Sequence, residues 1–180
     1  MRAIISILYR SGVRCGEMLA LKPHHINQTD STLRILHGKG DRSRTIGCDP
    51  AGLALLEPWM ALRASVIASN GPVDSLPVFV TRKAKPLTAG SLRLTLAMLG
   101  RRAGIQKRVH AHAFRHTMAV EMMLEGCDVA TISRQLGHFS IATTSQYLDH
   151  LSPQAVINAM KARKWDPGIR VGGGGNMMVS

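Results

Sequence analysis

The chain of 180 residues is poor in several things, and each shortage narrows what it can do. Aromatic residues make up only 4%, with two tyrosines, two tryptophans and three phenylalanines. Binders of single-stranded nucleic acid usually stack bases on aromatic platforms, so the scarcity favours a duplex backbone over single strands as a ligand. There are three cysteines, Cys15, Cys48 and Cys127, and none forms a CxxC pair. Neither a disulfide framework nor a cysteine zinc site is supported, and a reducing cytosol fits. The N-terminal run "AIISIL" is too short to span a membrane, and no small-residue cleavage site follows it. It reads as a core helix. Acidic residues are scarce too, and no acidic cluster suited to Mg²⁺ occurs.

What is present is a globular composition, 45% hydrophobic and 19% charged, long enough for one domain with a real core. The balance of 23 Lys+Arg against 11 Asp+Glu leaves a net charge of +12. That surplus points to a polyanion, nucleic acid ahead of a membrane surface. Nine basic residues and no acidic one fall between positions 81 and 115: Arg82, Lys83, Lys85, Arg93, Arg101, Arg102, Lys107, Arg108 and Arg115. A solvated helix face mixes signs; a single-sign stretch repels itself unless phosphates neutralise it.

Along the chain, residues 2–10 read as a buried helix stopped at Gly12, and "RCGEMLALK" as a short helix starting near Arg14. "TLRILHGKGDRSRTIG" reads as a hairpin turning at "GKGD". Asp49-Pro50 predicts an N-cap and first turn, opening a helix to about Ala68. "PVFV" is a candidate strand, and Thr88 caps a helix ending before Gly104. Helices follow near 113–125, from Asp128 to Gly137, from Ser140 through Tyr147, and near 153–163. "GGGGNMMVS" is a flexible tail. The expected fold is mainly α with one small antiparallel hairpin or sheet, an α+β domain over 1–165 and a Gly-rich tail over 166–180.

Basic and nucleophilic residues gather at the ends of these segments. Arg14 sits at a helix N-terminus, where free N–H groups favour an anion. Lys39 tips the hairpin turn. His112 and Arg115 are three apart at a helix start and so share a face. His138 follows the Gly137 helix stop, and Tyr147 lies nine residues later. "SGVRCGEMLALK", "HGKGDRSR", "HAFRH" and "LGHFSIATTSQY" occur in the order of the motifs of the tyrosine recombinase (phage integrase) family, which this chain resembles over roughly residues 1–150. The spacing from the Gly-His histidine to the tyrosine matches as well.

The resemblance implies a catalytic-domain fold and a chemistry that cuts and rejoins duplex DNA through a 3′-phosphotyrosine, with no metal, cofactor or ATP. It implies that Arg14 and Arg115 clamp the non-bridging phosphate oxygens, that Tyr147 is the nucleophile, and that Lys39 is the general acid for the leaving 5′-oxygen. His112 would assist proton transfer, His138 would donate a hydrogen bond to the phosphate, and Glu17 would orient Arg14. These residue types suit the task. A phosphodiester repels nucleophiles until guanidiniums neutralise it. A free tyrosine, with pKa about 10, is ionised only about once in a thousand at neutral pH, so it needs a basic site. The family further implies a tetramer on paired sites and a cytoplasmic, nucleoid-associated protein. With only residues 1–13 ahead of Arg14, the helical core-binding domain that family members carry there is expected to be absent. The apolar stripe of Val156, Ile157 and Met160 is expected to dock on its own domain or on a neighbouring protomer.

Singly, each of these residues has a plainer reading. Tyr147 would be a half-buried helix residue, Arg14 a surface charge, Lys39 a turn lysine, and His112 and His138 structural histidines. Their order in the motif set reverses that. His116 stays structural, and Met118, Met122 and Met123 read as helix core. His110, His112 and His116 mix strand and helix periods around Arg115, which would repel a cation, so no metal site is expected. Two other readings stand beside the recombinase. One is a type IB topoisomerase-like enzyme, separable by supercoil relaxation. The other is a non-catalytic DNA-binding module, separable by the absence of a covalent adduct.

Overall fold

The structure, a computed structural model, describes residues 1–36, 43–68, 76–137 and 161. The chain divides into two compact units, Met1–Leu148 and Asp149–Ser180, and every element named here belongs to the first. The expected helix from Ser140, the helix from Ser152-Pro153 apart from the helical Lys161, and the Gly-rich tail lie outside the described residues.

Helix α1 (Arg2–Ser11) buries Ala3, Ile4, Ile7 and Leu8, one face of a 3.6-residue period. It stops at Gly12, whose φ of 63° suits glycine, and where a Cβ would overlap Met118 and approach Leu136 at 3.1 Å. Helix α2 (Cys15–Leu19) starts after Arg14, as its motif predicts. A 3-10 turn (Pro23–His25) leads into a three-stranded antiparallel sheet of β1 (Ile26–Asn27), β2 (Thr32–Ile35) and β3 (Arg44–Gly47), in that order. Leu33 pairs with Ile46, and alternation along β2 sends Leu33 and Ile35 into the core. The hairpin is as expected, and β1 adds a short third strand. The turn that carries Lys39 lies outside the described residues.

The single helix expected from Pro50 to Ala68 is two: α3 (Pro50–Ala54) and α4 (Glu57–Ile67). Pro58 has no N–H to give the Ala54 carbonyl, and its ring crowds the turn before it, so the chain breaks at Leu55-Leu56. Asp49 does cap the first piece, accepting from the Gly52 N–H at 3.0 Å. "PVFV" is not a strand. Only Val80 pairs, in an isolated bridge to Pro86, because the Val78 N–H is taken by the Leu21 carbonyl at 2.7 Å. Helix α5 (Ala89–Arg102) is capped by Thr88. Helix α6 (Ala111–Leu124) begins two residues before its expected start, because His110 Nδ1 accepts from the Ala113 N–H. Helix α7 (Val129–Leu136) runs from the Asp128 cap to Gly137, which has a left-handed φ of 63°.

The main core gathers Ile7, Leu8, Met18, Leu33, Ile46 and Phe79. A second cluster packs Met118, Ala119, Ile132 and Leu136, with Met122 and Met123 against it, so these methionines are core as expected. Gln135 locks the last turn of α7 in place. Its side-chain amide accepts from the Gly47 N–H at 3.0 Å and donates to the carbonyls of Gly47 at 2.7 Å and Ser11 at 2.9 Å. Among the described residues no helix is long and apolar enough to cross a membrane.

The Asp49 cap gives a simple stability test. Asp49→Ala removes the acceptor for Gly52 together with the partner of the partly exposed Arg10. The lost cap should cost about 1 kcal/mol and lower Tm by about 2–4 °C in a thermal melt. An unchanged Tm would show that the cap contributes nothing.

Candidate active site

The site is built at the end of α7. The last carbonyls of a helix have no partner in their own helix and carry the negative end of its dipole, so they attract cations. Here Arg14 donates from Nη2 to the Gly137 carbonyl at 3.0 Å. Arg115 donates from Nη2 to Leu136 O and from Nη1 to Gly12 O, both at close range. The two arginines that the motifs single out, 101 positions apart in sequence, therefore meet at one helix end. The chain passes directly from this end into His138.

Arg115 is only 2% exposed. Its three-residue spacing from His112 puts the two on adjoining parts of α6, but they part in depth. The guanidinium turns inward to the carbonyls, while His112 remains exposed. The His112 pKa is lowered, first by partial desolvation and then by the positive charge of Arg115 and its basic neighbours, His110, His116 and Arg14. The neutral imidazole is therefore favoured near pH 7, with a nitrogen able to accept a proton. A cleft of about 330 Å³ opens beside it, lined among others by Cys15, Arg93, Leu96 and His110.

Arg14 is also the N-cap of α2. Its backbone N–H donates to Glu17 Oε2 at 3.1 Å, and its Nη1 donates to Glu17 Oε1 at 3.0 Å. The anion at this helix start is thus the side chain of Glu17 itself, which pairs with Arg14 as expected. Sequence reasoning missed the third guanidinium. Arg44 grips the same carboxylate with both ends, Nη1 to Oε1 at 2.9 Å and Nη2 to Oε2 at 2.8 Å. It also faces the Leu136 carbonyl at 3.5 Å, and a Cβ on Gly137 would overlap its guanidinium. Gly137 is therefore required twice, for its φ and for this approach. A signal was available in the sequence. Arg44 alternates with Ile46 on the inward face of a strand, and an inward arginine needs a buried partner.

Tyr9 donates its hydroxyl to Glu121 Oε1 at 2.7 Å, and that hydrogen bond raises its pKa, which keeps the phenol protonated. Tyr147, His138 and Lys39 lie outside the described residues. Among the described residues no group of three His, Cys, Asp or Glu side chains is placed to hold a metal ion. His110 serves instead as a helix cap and stacks on His112 with ring centres 6.4 Å apart.

The phage integrase family profile matches residues 1–153. Tyrosine recombinase XerC of Lactobacillus leichmannii is 28% identical over 153 residues, which is 85% of this chain and 51% of that protein. The crystal structure of XerA recombinase superposes with a TM-score of 0.77 at 30% identity, covering 91% of this chain and 58% of that one. XerH site-specific recombinase, bound to palindromic difH substrate in a post-cleavage complex, has a TM-score of 0.69 at 25% identity, covering 89% of this chain and 44% of that one. This chain thus spans about half the length of the XerC relative it matches.

Glu17 links the site to acid stability. Burial alone would push its pKa up, but the hydrogen bonds and charge of Arg44, with those of the Arg14 backbone and side chain, outweigh burial and bring it down from 4.5 to about 2. A carboxylate with a depressed folded-state pKa stabilises the fold fully above its unfolded value and loses that stabilisation as pH falls through the folded one. The contribution is on the order of 3 kcal/mol at neutral pH. The stability gap between wild type and Glu17→Gln should therefore be constant from pH 7 to about 5 and close as pH falls toward 2. Urea melts across that range check it, and a gap independent of pH would refute the coupling.

Proposed function

The chain belongs to the phage integrase family, and from that premise we propose that it is the catalytic domain of a site-specific tyrosine recombinase that cuts and rejoins duplex DNA. The observation that carries the proposal is the meeting of Arg14 and Arg115 at the end of α7, immediately before His138. Two guanidiniums fixed on rigid elements make a preorganised seat for a phosphodiester. The XerH relative with difH substrate, in a post-cleavage complex, supports a strand-cutting reading. The acid-free basic stretch between 81 and 115 supports a duplex backbone as the partner.

In the proposed reaction Tyr147 attacks the scissile phosphorus while its phenolic proton passes to a base, with neutral His112 assisting. The new bond joins the Tyr147 oxygen to phosphorus, and the bond from phosphorus to the 5′-oxygen breaks. That oxygen leaves with a proton from Lys39, giving a 3′-phosphotyrosine and a free 5′-hydroxyl. Arg14, Arg115 and His138 hold the non-bridging oxygens as negative charge builds. The covalent bond keeps the energy of the broken one, so a 5′-hydroxyl from another strand can reverse the step without ATP. Four protomers on paired sites would exchange strands in this way, in the cytoplasm at the nucleoid.

The test uses a library of nicked suicide duplexes with a randomised core, from which covalently attached 3′ ends are captured and sequenced. Wild type should yield an adduct that survives EDTA. Tyr147→Phe should abolish the adduct with DNA affinity nearly unchanged, while Tyr9→Phe should keep it. An adduct that persists in Tyr147→Phe would remove that residue from the mechanism.

Lys39 is tested on the leaving group. A 5′-thiolate departs without a proton, so Lys39→Ala should be slowed by about 10²–10⁴ on ordinary DNA and largely restored on a 5′-thio substrate. Equal slowing on both substrates would assign Lys39 to phosphate binding.

A further inference from the structure

Arg44 takes no part in the proposed reaction, yet its side chain grips Glu17 with two prongs where that of Arg14 uses one. Both of its Nη groups lie in the fork of Glu17, at 2.9 and 2.8 Å, whereas Arg14 meets that carboxylate through one Nη at 3.0 Å. The Glu17 side chain is 7% exposed, Arg44 17% and Arg14 32%. The carboxylate is therefore buried on the Arg44 side and opens toward Arg14. A two-pronged guanidinium–carboxylate pair is stronger and better directed than a single-pronged one, so Arg44 is the principal partner of Glu17.

The balance of charge gives this arrangement its meaning. Arg14 and Glu17 alone would form a neutral pair, and in a partly buried site a carboxylate 3.0 Å from Arg14 would cancel most of the field that Arg14 presents to a phosphate. With Arg44 on the same carboxylate, two guanidiniums share one anion. That group of three keeps one positive charge in surplus. A phosphodiester carries one negative charge, and a pentacoordinate phosphoryl transition state carries close to two, so a surplus kept at Arg14 serves the charge that builds during cleavage.

We infer that Arg44 is a positioning residue for strand cleavage: by occupying the Glu17 carboxylate it lets that group orient Arg14 without neutralising it. The inference rests on the assignment of Arg14 to the scissile phosphate. Arg44 acts through Glu17 and lies against Gly137, so it also braces the backbone from which His138 springs.

The experiment measures single-turnover cleavage and DNA affinity on the duplex selected by adduct capture, with the whole chain carrying Arg44→Ala, Glu17→Gln or both. Arg44→Ala should cleave about 10²-fold more slowly, the scale for losing one preorganised charge at a reacting group, with Kd changed less than about threefold. Adding Glu17→Gln should restore at least about tenfold of that rate, because it removes the anion left to neutralise Arg14. A purely structural role for Arg44 predicts the reverse, since the double variant would lose two supports instead of one. Arg44→Gln, alone and with Glu17→Gln, repeats the comparison with a side-chain amide in the cavity should Arg44→Ala fail to fold. Unchanged cleavage in the Arg44 variants, or a double variant no faster than the single one, overturns the inference. A wild-type chain that forms no adduct overturns instead the recombinase reading on which it rests.

Discussion

The free carbonyls that end α7 are the point on which the rest of the site depends. A helix end buried without partners is costly, and this one is satisfied by guanidiniums from three other parts of the chain. Arg14 comes from the start of α2, Arg44 from β3 and Arg115 from α6. The Gly12 carbonyl at the end of α1 is drawn in by the other arm of Arg115. One backbone requirement thus fixes four elements relative to α7, and the Gln135 side chain holds its last turn against the sheet edge. A seat for a phosphate, the role proposed for this cluster, must be positive and rigid when empty. Carbonyl acceptors allow this, because they hold an arginine in place without cancelling its charge.

Glu17 solves a second problem. The Arg14 and Arg44 guanidiniums repel one another, and the buried Glu17 carboxylate that both of them bind relieves that repulsion while leaving the three groups net positive. Its depressed pKa records how strongly the arginines favour its charged form despite its burial. A neutral residue there would leave the cations unpaired, and a second acid would erase the field. Tyr9 sits against Glu121, which favours the protonated phenol, whereas the motif order sets Tyr147 nine residues beyond a histidine that follows the arginine cluster.

Much of the fold was legible because local signals were strong. Gly12 and Gly137 stop their helices in the left-handed conformation, and Asp49, Thr88 and Asp128 each accept a backbone N–H as caps. Reading failed where a local signal was weighed against a distant one. Pro58 divides the helix that the Asp49-Pro50 cap was expected to open as far as Ala68. "PVFV" has strand composition, but its Val78 N–H goes to Leu21, a partner no local window contains. The short strand β1 exists because β2 offers it an edge, not because two residues have strand preference.

The sequence by itself determined the family. Residue types, their order and the Gly-His-to-Tyr spacing name it and mark the groups proposed to act. It did not determine depth, pairing or charge balance. That Arg115 is buried while His112, three positions before it, is exposed, and that Arg44 shares Glu17 with Arg14, were decided only when α7 packed against β3 and α1. The reason is physical. A helix or strand period says which way a side chain points, but the strength of a charge depends on which partners and how little water lie around it, and those come from other segments, here 21 to 103 residues away.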